Sequence, residues 1–120
     1  MIEQITLRIF EVVGSGLCVA SEDGQKVYDQ IAAALREGRK VRLSFLNVEN
    51  LTSAFLNAAV GQLYGTFTED EIKSSLSVSD MDKDDLALLK RVVDTAKQYF
   101  KDPKRFEDAK QKVLGGANEE

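Results

Sequence analysis

Apolar residues recur at every second position near the start of the chain and at every third or fourth position further on, and the changes of period divide it into elements. Ile5, Leu7 and Ile9 alternate with Thr6, Arg8 and Phe10, the period of a β-strand, with Val12 and Val13 as an extension. Gly14-Ser15-Gly16 tolerates the positive φ of a reversal, so Leu17-Cys18-Val19-Ala20 predicts a second strand and an opening hairpin. Ser21 then suits a helix N-cap, with Glu22 and Asp23 near the positive end of the dipole. Val27, Ile31, Ala34 and Leu35 keep helical spacing as far as Gly38, a C-terminal stop, while Gly24 weakens the first turn.

Val41, Leu43 and Phe45 alternate with Arg42 and Ser44, which predicts a strand in a central sheet position. Asn47 to Asn50 is polar enough to be a loop, and Thr52 and Ser53 open a helix whose Phe55, Leu56, Ala59, Val60 and Leu63 share a face. Its small Ala58, Ala59 and Gly61 favour close packing. Thr68 can cap a single turn through Glu69-Asp70-Glu71, and a fourth strand is expected within Lys73 to Val78. Asp80 or Asp82 begins a long helix with Leu86, Leu89, Val93, Ala96 and Phe100 as a seam that packs on the sheet. Asp102-Pro103 stops it, and Phe106, Ala109 and Val113 share a stripe in a last helix. The expectation is a single α/β domain over residues 1–120. It has an about four-stranded mixed sheet with helices packed on it, a helical C-terminus, and a disordered tail over 115–120.

Composition narrows the chemistry. A chain of 120 residues that is 43% hydrophobic supports one ordinary core. A formal net charge of -4 disfavours nucleic acid as a partner, which calls for clustered Lys and Arg. With no histidine and one cysteine, Cys18, the usual Cys/His zinc site cannot be assembled within one chain. Cys18 between Leu17 and Val19 reads as a small buried hydrophobe. No apolar run reaches the ~18 residues of a membrane span and Met1 to Ile9 lacks the blocks of a signal peptide, which points to the cytoplasm.

Acid–base work without histidine would fall to Asp, Glu, Lys, Tyr or Cys. The acidic clusters Glu69-Asp70-Glu71 and Asp80 to Asp85 lie at helix starts, where they stabilise the dipole by ~0.3–1 kcal/mol. A magnesium site at Asp80, Asp82, Asp84 and Asp85 lacks the glycine and distal Glu of a calcium loop. The expectation is therefore no catalytic residues, no metal and no cofactor. Lys97, Lys101, Lys104, Arg105, Lys110 and Lys112 are interrupted by Asp102, Glu107 and Asp108, as on a solvated helix face. The informative pair is Thr52-Ser53. Either hydroxyl can cap the helix for ~1 kcal/mol, and a phosphate on Ser53 would meet the same amides and dipole.

The stretch FLNVENLTSAFLNAAVGQLYG carries a resemblance through Phe45, Val48, Leu51, Ser53, Phe55, Leu56, Leu63 and Gly65. It is similar to the STAS domain of anti-sigma factor antagonists and sulfate transporters, and looks most like a bacterial branch of STAS-like domains of unknown function. The likeness runs from about Ile5 to Val78. In antagonist STAS domains this turn carries Asp-Ser and a small residue, and a partner kinase phosphorylates the Ser. Thr52 stands where that family has Asp, Ser53 where it has the phosphoacceptor, and Ala54 where it has the small residue. The resemblance implies a non-enzymatic regulatory or interaction module that docks a histidine-kinase-like ATPase or another regulator; a homodimer is a separate option, through the Leu86, Leu89, Val93, Ala96 and Phe100 seam as a dimerising helix. The contact residues of the module would be Asn47, Asn50, Thr52, Ser53 and Asn57. The alternative is a small-molecule or nucleotide-binding module that holds an anion at the helix N-terminus at Thr52 and Ser53.

Overall fold

The computed structural model describes residues 4–101. In order, they form strand β1 (Gln4–Arg8), helix α1 (Ile9–Val13), strand β2 (Leu17–Cys18), helix α2 (Ser21–Arg36), strand β3 (Lys40–Ser44), strand β4 (Asn50–Leu51) and helix α3 (Ser53–Ala59). A 3-10 turn (Gly61–Gly65), helix α4 (Glu69–Ser75), strand β5 (Leu76–Ser79) and helix α5 (Lys83–Lys101) follow.

The main sheet has three strands in the order β1-β3-β5, all parallel, and β2 and β4 form a separate parallel pair. This corrects the four-stranded mixed sheet; β3 is central, as expected, with Val41, Leu43 and Ser44 buried and Lys40 and Arg42 exposed. Ile5, Val41 and Leu76 stand in one row across the strands and Leu7, Leu43 and Val78 in the next. The core lies on that face, where Val27 and Ile31 of α2, Phe55 and Leu56 of α3 and Leu63 are fully buried.

The opening hairpin is overturned. Ile9, Val12 and Val13 are spaced i, i+3 and i+4, so this segment turns helical once Ile9 reaches the core, and Gly14 ends α1 at φ 90°. The chain then leads β2 to a partner more than thirty residues away, β4, instead of back along β1. Asn50, expected in a loop, is the first residue of that partner.

Other boundaries move for local reasons. Ala20, not Ser21, is the N-cap of α2. At its other end Gly38, at φ 78°, donates to the Leu35 carbonyl at 3.0 Å and Arg39 donates to that of Ala34 at 3.0 Å, a Schellman stop. Gly24 is no weakness: a Cβ there would lie 2.4 Å from the Phe55 carbonyl oxygen, so the glycine lets α2 and α3 touch. Thr68 and Glu71 form a reciprocal capping box that carries α4 on to Ser75, where strand was expected from Lys73. Asp82 caps α5, accepting from the Asp85 amide at 2.8 Å. The α5 seam is shifted: Leu89, Val92 and Ala96 are buried, whereas Leu86 and Phe100 remain 45% and 40% exposed. The last predicted helix and the 115–120 tail lie outside the described residues. No helix among the described residues is long and apolar enough to cross a membrane.

Candidate functional site: the turn between β3 and α3

Leaving β3, the backbone turns through Asn47 at φ 69°, a left-handed conformation that Asn tolerates better than most residues. The turn then leans on Gly16: its carbonyl accepts from the amides of Glu49 at 2.9 Å and Asn50 at 3.1 Å. A Cβ on Gly16 would lie 2.6 Å from the Asn47 carbonyl oxygen, so only glycine permits this contact. Leu17 pairs with Asn50 and Cys18 with Leu51, which clamps the turn against β2.

Thr52 completes the clamp. Its hydroxyl accepts from the Phe55 amide at 3.2 Å, capping α3, and donates to the Val19 carbonyl at 2.8 Å. Its amide also donates to the Cys18 carbonyl at 3.3 Å. Thr52 therefore holds structure, and Ser53, the first helical residue, is exposed. Asn47 and Asn50 are exposed as well. Asn57 is exposed too but lies one helical turn on, lining an apolar groove of about 270 Å³ with Gly61, Ala96, Tyr99 and Phe100. Thus Asn47, Asn50, Thr52 and Ser53 share one short stretch around β2 and β4, while Asn57 belongs to the groove between α3 and α5.

The periodicity reading missed the apolar side of this surface. Leu17, Val19 and Leu46 are 56%, 45% and 52% exposed. Leu17 is the first residue of the strand that pairs with Asn50 and Leu51, Val19 follows that strand, and Leu46 precedes Asn47. The available signal was that Leu17-Cys18-Val19 cannot bury both sides of so short a strand.

A second missed feature lies at the carboxyl ends of β3 and β5. Ser44, buried at the end of β3 on the sheet face opposite the core, donates through its hydroxyl to the Asp80 carboxylate at 2.8 Å and accepts from the Leu46 amide at 3.3 Å. Ser79 also donates to Asp80 at 3.2 Å, and the Phe45 amide donates to the Ser79 carbonyl at 3.0 Å. Asp80 sits at φ 63°, a conformation this network holds in place.

Cys18 is fully buried, and burial first, then the Asp23 carboxylate, push its thiol up to about 11. It is thus a packing group with little thiolate character at neutral pH. Among the described residues no three His, Cys, Asp or Glu side chains gather to hold a metal ion. Burial, then Asp82 and Asp84, raise the Asp85 carboxyl above its ordinary value.

Residues 23–86, more than half of the sequence, match the family of STAS-like domains of unknown function. The chain belongs to this family. The matched span of this STAS-like domain runs from α2 into α5 and contains the turn, α3 and the 3-10 turn. Comparison with curated proteins and with solved structures gave no match.

Proposed function

We propose that this STAS-like domain is a non-enzymatic interaction module that docks a regulatory protein, of the histidine-kinase-like ATPase type or another class, through the surface built on residues 46–53 and β2. The observation that carries this reading is the exposure of Leu17, Val19 and Leu46 beside Asn47, Asn50 and Ser53. An apolar centre with a polar rim is the anatomy of a protein interface. The turn is also presented rigidly, by Gly16, the β2–β4 pair and the two bonds of the Thr52 hydroxyl, so little ordering entropy is lost on docking.

The anion-binding alternative has less support. α3 has only seven residues, and Thr52 already takes the Phe55 amide with its hydroxyl and the Leu56 amide with its carbonyl. Ser53 keeps an exposed hydroxyl, so phosphorylation by a partner is sterically open.

The test is affinity capture from the protein's own cell with wild type and with a Leu17→Ser, Leu46→Ser, Asn50→Ala variant that leaves Thr52 intact. The expected result is loss of a partner that the wild type retains. Identical recovery by both proteins rejects this surface. Intact mass of protein from the same cells tests Ser53: a phosphate there is expected in at least one growth state, and its absence in all of them removes the phosphoswitch.

A further inference from the structure

All-parallel sheets are almost always covered on both faces, yet among the described residues the three-stranded sheet of this chain is covered on one. Opposite the core face, Thr6, Arg42 and Ser77 form one row across the three strands, and all three are exposed. Gln4 and Lys40 pair in the row on one side of it and are exposed too. On the other side Arg8 pairs with Ser44, and the Arg8 side chain is 60% exposed. The face therefore carries three cations, Lys40, Arg42 and Arg8, and no acidic residue at any of these strand positions, in a chain whose formal net charge is -4. Two acids stand at the Arg8 end of the face: Glu11, 3.5 Å from Arg8 in a pair exposed on both sides that holds weakly, and Asp80, whose carboxylate already accepts from the Ser44 hydroxyl at 2.8 Å, so the end around Lys40 and Arg42 is the more positive.

We propose that this bare sheet face is a docking surface for an acidic helix of a partner protein, with Arg42 at its centre. The occupant follows from charge and spacing. A second copy of the same face is excluded because three cations would meet three cations, and a greasy helix is excluded because Thr6, Arg42 and Ser77 offer it no apolar contact. Lys40 and Arg42 are two residues apart on one strand, ~6.6 Å along it, and Arg8 continues the diagonal by a further two positions on β1. A helix that presents Asp or Glu at i, i+4 and i+8 repeats every ~6 Å, which matches that ladder, and Thr6 and Ser77 supply hydroxyls beside it. Nucleic acid is disfavoured, because three charges on an acidic protein make a small footprint.

This surface is distinct from the 46–53 turn, so the two readings fail separately. The experiment is a backbone amide titration, followed by NMR, of the full chain with a helical alanine-rich peptide carrying Glu at i, i+4 and i+8. A Gln-for-Glu copy is the control and duplex DNA the competitor. Expected are shifts at Thr6, Arg42 and Ser77 with the Glu peptide, no shifts with the Gln copy, and affinity that falls with added salt. Arg42→Glu should lower affinity by at least ~10-fold at unchanged melting temperature. Lys40→Ala, a milder change at an exposed site, should lower it less. Shifts confined to other surfaces, equal binding by the Gln copy, no shifts at millimolar peptide, or tighter binding of the duplex to the same residues would each overturn the proposal.

Discussion

The hydroxyl of Thr52 both donates and accepts, and that double use sets what can replace it. Thr52→Ala loses the cap of α3 and the bond to the Val19 carbonyl, and should cost ~1–2 kcal/mol in urea denaturation. Thr52→Ser should stay within ~0.5 kcal/mol of wild type. Thr52→Asp can still cap but, as a carboxylate, has no proton to give Val19, so it should fall between them at neutral pH. Cys18 gives a pH signature. Its unfolded thiol ionises near 9.0 and the folded one near 11, so between these values the unfolded state releases its proton first. Stability should hold below pH 9 and decline as pH rises towards 11, and Cys18→Ala should lose that decline. The type of residue at position 52 was legible in the sequence; which of two adjacent hydroxyls does the work was not, because the Val19 carbonyl reaches it only through tertiary pairing.

At the scale of elements, amphipathic spacing was sufficient for α2, β3 and most of α5, where one face meets one core, whereas the helix expected through Leu63 stops as α3 at Ala59 and gives way to the 3-10 turn Gly61–Gly65. Spacing failed at α1, whose five residues fit period two about as well as a helical turn, and at β2, whose partner is non-local. Gly24 was misjudged as a helix defect because its value lies in another element. Gly24→Ala should destabilise by ~1–3 kcal/mol despite alanine's better helix propensity, since the methyl meets the Phe55 carbonyl oxygen. Gly38→Ala meets nothing within 4 Å and should cost ~1–2 kcal/mol, through its positive φ alone. On α5, Leu89→Ala should cost ~2–4 kcal/mol and the exposed Leu86→Ala under ~1 kcal/mol, both readable from thermal melts corrected to one temperature.

At the largest scale, every strand among the described residues pairs with one distant in sequence, so neither of their sheets can form from a local segment. The small β2–β4 pair is fastened to α2 and α3 and through them to the core. Reaction of Cys18 with a thiol reagent should therefore begin in the same denaturant transition that removes the helical circular dichroism signal; an earlier thiol transition would show that the small pair opens on its own. Family membership was legible because the matched span is the stretch where strand, turn and helix succeed each other without interruption. The number of strands and the bare sheet face were not, since strand partners and layer cover are decided between segments far apart.

In mechanical terms the Ser44 hydroxyl is a pin. It accepts from the Leu46 amide on one side and donates a hydrogen bond to the Asp80 carboxylate on the other, and Asp82, two residues on, caps the long helix. Whatever takes hold of Leu46 on the outside of the molecule therefore also pulls on the end of β5 and, through it, on the first turn of α5.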